Sequence, residues 1–166
     1  ARDCGVVLLT VHGRTRACRF SGEVDYEAIG RIKRNVDLPI VANGDISSPQ
    51  EAKKVVEITN CDAVMIGRAA LGKPWLLSQV DNFLRTGALA QQVSGAYIRD
   101  FLLQHLNALY RHYGVERGLL IARKHVGWAI ADLPMGTQIK KEFNQASSAE
   151  EQLKVISCIK REKLVA

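Results

Sequence analysis

Pro39-Ile40-Val41-Ala42-Asn43-Gly44-Asp45-Ile46-Ser47-Ser48-Pro49-Gln50-Glu51 decides how this chain folds. The apolar run Leu38–Ala42 is too short for a helix, is rich in β-branched residues and lacks polar alternation. That is how a strand buried on both faces of a parallel sheet reads. Asn-Gly-Asp then turns the chain, and a helix start follows. Ser48 can cap the backbone, Pro49 suits the first helical position, and Glu51 completes a capping box. Ala52, Val55 and Val56 supply the buried face of that helix.

The same grammar extends in both directions. Upstream lies the run Val6-Val7-Leu8-Leu9-Thr10-Val11, and downstream Ala63-Val64-Met65-Ile66. Between the first two runs, the segment from Asp25 to Val36 places Ile29, Ile32 and Val36 at helical spacing. The expected unit is strand–helix–strand–helix–strand, each crossover long enough for parallel pairing, which defines an α/β fold. Three strands cannot close a barrel. The chain also opens on what reads as the last turn of a helix terminated by Cys4-Gly5. The expectation is therefore the later part of a larger α/β domain whose first part lies outside this chain. A small, complete open sheet is the alternative, and it would leave apolar edges unpaired.

All three strands run into polar or glycine-rich residues: His12-Gly13-Arg14-Thr15, Asn43-Gly44-Asp45 and Gly67-Arg68-Ala69-Ala70. Ligands of parallel α/β folds bind at the carboxyl ends of strands, so the three clusters should converge. Gly44 and Gly67 would let a phosphate approach the backbone, and Arg68 adds a charge-assisted contact. A phosphate-bearing cofactor or substrate is expected between the second and third clusters.

After Trp75 the pattern changes to amphipathic helices, and the helical domain is expected over residues 91–166. A helix from about Pro74 to Thr86 stops at Gly87, and Gln91–Gly95 reads as a linker. Ile98, Phe101, Leu102, His105, Leu106, Leu109 and Tyr113 mark the face of a helix ending at Gly114. A second, from about Glu116 to Ala131, buries Ala122, Val126, Ala129 and Ile130; Thr137 and Ser148 (with Glu151) are read as caps of two more. This is a helical bundle. It carries eleven Lys and Arg, including Lys160, Arg161 and Lys163, against seven Asp and Glu, and so most of the chain's net charge of +6. Arg117 and Lys124 lie one heptad apart with Arg123 adjacent, which suits either a solvated helix face or a phosphate-tracking RNA surface. The 166 residues are 47% hydrophobic, show no signal-like opening and contain no run long enough for a membrane helix. The four cysteines have neither metal-ligand nor redox spacing, so a cytoplasmic protein with reduced thiols and no metal is expected.

Leu9-Thr10-Val11-His12-Gly13-Arg14-Thr15-Arg16, Pro39 to Ile46, and Val64-Met65-Ile66-Gly67-Arg68-Ala69-Ala70-Leu71-Gly72 resemble the bacterial tRNA-dihydrouridine synthases. Gly72-Lys73-Pro74-Trp75 and Ile121-Ala122-Arg123-Lys124-His125 resemble the B-type branch. The resemblance implies strands six to eight of a TIM (β/α)8 barrel over residues 1–90, and a helical tRNA-binding domain over residues 91–166. It implies FMN as cofactor and NADPH as reductant, with uridine in tRNA reduced to dihydrouridine. His12, Asn43, Gly44, Asp45, Gly67 and Arg68 match cofactor-binding positions, His12 near the flavin ring or ribityl chain with an N–H to donate. Arg14 and Arg16 would face RNA or brace the barrel rim, and Arg117, Arg123 and Lys124 would contact RNA. The family's proton-donating cysteine and its flavin-contacting lysine and glutamine precede the matched region. No catalytic residue is therefore assigned here, Cys18 included, and the chain alone is expected to be inactive. Two other readings are a non-catalytic RNA-binding fragment and a phosphate-binding barrel oxidoreductase acting on a small molecule.

Overall fold

The computed structural model describes residues 4–18 and 21–159. Of the helical turn expected at the start of the chain, only the terminator Cys4-Gly5 is described, with Gly5 at φ +79°; the cations Lys160, Arg161 and Lys163 lie outside the described residues. The chain divides into two compact units: one runs up to Ala70 and resumes over Pro74–Ala90, and the other takes Leu71–Lys73 and continues from Gln91.

The first unit is a parallel sheet of β1 (Leu9–His12), β2 (Ile40–Asn43) and β3 (Ala63–Met65), in the order β1-β2-β3. Between the strands run α1 (Tyr26–Asn35) and α2 (Pro49–Thr59), and α3 (Trp75–Thr86) follows. Only β2 is buried on both faces. β1 and β3 alternate between half-buried and exposed residues, so the uniform burial expected of all three strands holds for the central one. The reason is position: β1 and β3 are the two edges of this sheet. The core joins Ile29 of α1, Ile40 and Ala42 of β2, Ala52 and Val55 of α2, and Leu76 and Val80 of α3. The Asp62 carboxylate accepts from the Ile40 backbone N–H at 2.6 Å and from Lys33 Nζ at 2.7 Å, tying the start of β2 to α1 and β3.

The helix starts are local chemistry. Asp25 accepts from Ala28 N–H at 2.7 Å to cap α1, and Ser48 accepts from Glu51 N–H at 3.1 Å to cap α2. The capping box differs from expectation by one residue. The Glu51 carboxylate accepts from the N–H and hydroxyl of Ser47, the residue before the cap, at 2.8 and 2.7 Å.

Among the described residues the second unit is four helices, α4 (Gly95–Tyr113), α5 (Val115–Ala129), α6 (Gly136–Gln145) and α7 (Ala149–Ser157). Leu102, Leu106, Val126, Ile130, Phe143 and Ile156 are buried at its centre. Gln152 is fully buried and joins the helices. It accepts from the Tyr110 hydroxyl at 2.7 Å and donates to the Leu119 carbonyl at 3.3 Å. Burial pushes the Tyr110 hydroxyl up to about 12, so it stays a donor at neutral pH. Two expectations need correcting here. Tyr113 is 46% exposed and Tyr110 is buried instead, continuing the i, i+4 stripe Ile98–Leu102–Leu106. Thr137 lies inside α6, whose start is set by Met135 in a left-handed conformation (φ +62°) with no side-chain cap. At α7 the shifted box recurs: Ser148 caps, and Glu151 accepts from Ser147 N–H at 2.7 Å.

Replacing Ser48 with Ala should cost about 1 kcal/mol of stability in urea unfolding. The carboxyls of Glu51, Asp62 and Glu151 are held below their ordinary range, first by Ser47, by Lys33 and by the Ser147 N–H respectively. A folded-state pKa that is depressed contributes stability above the unfolded value of about 4, and that stability is lost as pH falls through the folded value. Thermal midpoints should therefore stay level from about pH 7 to 5 and fall below about pH 4, less steeply in Glu51→Gln and Glu151→Gln. An unchanged acid limb in both variants would contradict the assignment.

Candidate functional site

The register of the sheet assembles the site. His12 pairs with Asn43 across β1 and β2, and Asn43 with Met65 across β2 and β3, so the three following turns lie side by side. A cleft of about 400 Å³ opens among them, lined by His12, Asn43, Gly44, Asp45, Ile46, Ser47, Gly67, Arg68 and Ala69. All six residues expected to hold a cofactor line this one cleft. Ile46, Ser47 and Ala69 are not legible as site residues from the sequence, although each lies within two residues of Asp45 or Arg68.

The polar groups are fixed by one another. Asn43 Nδ2 donates to the Met65 carbonyl at 2.8 Å, which turns Asn43 Oδ1 towards His12 Nδ1, also at 2.8 Å. Oδ1 can only accept, so Nδ1 carries the proton. In the neutral ring, the N–H expected to serve a ligand is therefore already engaged. What His12 has left to offer is the Nε2 lone pair.

Asp45 lies between two arginines. Arg14 Nη2 donates to its Oδ2, and Arg68 Nη2 donates to its Oδ1 at 2.8 Å. The hydrogen bond from Arg14, followed by the charges of Arg14 and Arg68, holds the Asp45 carboxyl below the usual carboxylate range. Arg14 also donates through Nε and Nη2 to the Gly22 carbonyl at 3.0 and 2.6 Å, and its side chain is only 4% exposed. Arg16, expected to act with it, is exposed. Cys18 is exposed and is not among the residues lining the cleft. Its thiol lies 3.1 Å from the Thr15 hydroxyl, which lowers its pKa.

The two glycines of the cleft differ in their reasons. Gly44 has φ +146°, and a Cβ there would meet Val24 Cγ1 at 2.6 Å, while its carbonyl accepts from the Tyr26 hydroxyl at 2.6 Å. Backbone conformation and the Val24 side chain demand it. A Cβ at Gly67 would meet nothing within 4 Å, so there the missing side chain leaves open space beside the backbone.

In the second unit, Arg117 and Lys124 of α5 are exposed, whereas Arg123 is half-buried with its Nε inside and without a hydrogen-bond partner among the described residues. Lys124 Nζ sits 5.0 Å from the Trp128 ring centroid. The expected run of three solvated cations is thus two exposed ones and one partly inserted. His105 stacks on Phe101 at 5.7 Å between ring centroids, and its Nε2 lies 3.2 Å from His125 Nδ1. Among the described residues there is no cluster of three or more His, Cys, Asp or Glu that could hold a metal, and no helix long and apolar enough to cross a membrane.

A parallel strand–helix repeat with a polar, arginine-bearing cleft at its strand carboxyl ends defines an α/β protein with an anion-suited site. The chain belongs to the dihydrouridine synthase (Dus) family, whose sequence model matches residues 1–164. It is 48% identical over 153 residues to a tRNA-dihydrouridine synthase B of Xanthomonas campestris pv. campestris, covering 92% of this chain and 46% of that protein. It is 43% identical over 156 residues to the tRNA-dihydrouridine synthase B of Salmonella typhimurium, covering 94% of this chain and 49% of the relative. The corresponding Escherichia coli K12 protein is 42% identical over the same length and coverage. The chain thus spans about half the length of these relatives.

Substitution of the two glycines should separate fold from cleft. Gly44→Ala is expected to destabilise the protein by about 1–3 kcal/mol, through left-handed strain and the collision with Val24. Gly67→Ala should stay within about 0.5 kcal/mol of the parent, as substitutions away from packed features do. Urea unfolding of both variants checks this, and equal destabilisation would contradict the distinction.

Proposed function

We propose that this chain forms part of a flavin-dependent tRNA-dihydrouridine synthase. In this reading β1, β2 and β3 are strands six to eight of a TIM barrel, and residues 1–90 hold one end of an FMN site. Residues 91–166 form a helical domain that binds tRNA, and the enzyme works in the cytoplasm with NADPH as reductant. The observation that carries the reading is the meeting of His12, Asn43, Gly44, Asp45, Gly67 and Arg68 on one cleft at the carboxyl ends of parallel strands.

The donor set suits the phosphate end of FMN. Arg68 supplies a guanidinium, and the backbone at Gly67 is open to close approach. The His12 Nε2 lone pair can accept from a hydroxyl of the ribityl chain, because its Nδ1–H is committed to Asn43. Bound and reduced, the flavin would supply a hydride to the 5,6 double bond of uracil, the second hydrogen arriving as a proton. The residues of this chain position and retain the cofactor in that division of labour. Arg14 is engaged by Asp45 and braces the cleft, while Arg16, exposed on the same loop, faces the RNA. On α5, Arg117, Arg123 and Lys124 contact tRNA phosphates, which are recognised by shape and charge rather than by a groove code. None of the described cysteines lines the cleft, so the proton donor is supplied from outside the residues described.

Three measurements test the reading. In the full-length protein, Arg68→Ala should weaken FMN binding by about 1.5–3 kcal/mol, or roughly one to two decades in Kd, as read by flavin fluorescence quenching. An unaltered Kd removes Arg68 from the phosphate site. The 166-residue chain alone, given FMN, NADPH and unmodified tRNA, should form no dihydrouridine. For the helical unit, filter binding of tRNA across several salt concentrations should show Lys124→Ala with lower affinity for different tRNAs and a salt slope shallower by about one unit. Unchanged affinity and slope would make Lys124 an ordinary solvated lysine.

A further inference from the structure

The cleft lining contains both signs of charge. Asp45 and Arg68 border it, whereas Arg14 lies behind Asp45, outside the lining. A carboxylate beside a phosphate repels it, and one carboxylate paired with one guanidinium leaves no net attraction. The second guanidinium changes that sum. Arg14, Asp45 and Arg68 form a row of alternating sign whose net charge is +1.

We propose that Arg14 is a positioning residue which neutralises Asp45, so that the cleft keeps the net positive charge of Arg68 for the phosphate of its ligand. This rests on the reading of the cleft as a phosphate site. Three observations carry it. The Arg14 side chain is 4% exposed and is held in place by the Gly22 carbonyl on one side and Asp45 on the other. Its Nη1 is buried with no hydrogen-bond partner among the described residues. A neutral donor would serve the Gly22 carbonyl without burying a charge, so bracing that loop does not account for a guanidinium; the carboxylate does. Finally, Asp45, at φ +43° next to Gly44, has its carboxylate between the two arginines, bonded to each through a different oxygen.

The test is a set of FMN and riboflavin titrations on the full-length protein, by fluorescence quenching at low salt, with circular dichroism on each variant. The parent should bind FMN more tightly than riboflavin. Arg14→Met should lose about tenfold more in FMN affinity than in riboflavin affinity, as expected for the loss of one buried opposite charge. Arg14→Lys, which keeps the charge, should retain most of the affinity. The double variant Arg14→Met with Asp45→Asn should recover to near the parent, since it removes the carboxylate that needed neutralising. A purely structural Arg14 would show no such recovery. Should Arg14→Met not fold, Asp45→Asn alone decides: it should bind FMN several-fold more tightly than the parent. Parental affinity in Arg14→Met, no recovery in the double variant, or no gain in Asp45→Asn overturns the role given to Arg14. A parent that does not distinguish FMN from riboflavin overturns the phosphate reading itself, and does so before any substitution is made.

Discussion

β2 is hydrogen-bonded along both edges, to β1 through the Leu9–Ile40 to His12–Asn43 register and to β3 through Val41–Ala63 to Asn43–Met65. Because both pairings are parallel, the turn after each strand emerges at the same end of the sheet. Asn43 is the pivot of that arrangement. Its backbone is paired on both sides, and its side chain uses the same two neighbours, donating to the Met65 carbonyl and accepting from His12. If β2 were displaced by one residue, its side chains would change faces and the His12–Asn43–Met65 chain would be broken.

The charges of the cleft sit on that frame. Asp45 is separated in sequence by 31 residues from Arg14 and by 23 from Arg68, yet it bonds both. Its position depends on Gly44 taking a backbone conformation closed to other residues, on Val24 filling the space a Cβ would need, and on Tyr26 holding the Gly44 carbonyl. The turn that reads as a simple Asn-Gly-Asp is thus clamped from below by α1 and the segment before it. That rigidity is what an anion site requires, since preorganised donors lose little freedom when the ligand arrives.

The helical unit obeys different physics. Its centre is apolar except for Gln152, whose amide is satisfied by Tyr110 and by backbone carbonyls. A satisfied buried polar group of this kind fixes how helices meet more than it adds net stability. Three of its cations, Arg117, Arg123 and Lys124, lie on α5, and Trp128 and His125 pack edge to face beneath Lys124. In the proposed function this unit supplies charge for an RNA backbone, and the sheet unit supplies the cofactor cleft.

The Ile40–Glu51 stretch determined by itself that a strand, a tight turn and a capped helix follow one another, because strand burial, Ser48 capping and the fixed φ of Pro49 are local effects. The convergence of three strand ends was equally legible, since parallel pairing of successive strands puts their carboxyl ends together whatever the side chains are. Tertiary structure decided the rest. The Arg14–Asp45 pair spans residues no local pattern connects, and the tautomer of His12 follows from which way Asn43 is turned by β3. Gly44 and Gly67 look alike in sequence, and only the packing around them separates a backbone necessity from an open space. Tyr110 rather than Tyr113 enters the core of the helical unit for the same reason: helical phase brings both near the boundary, and the partner helices choose between them.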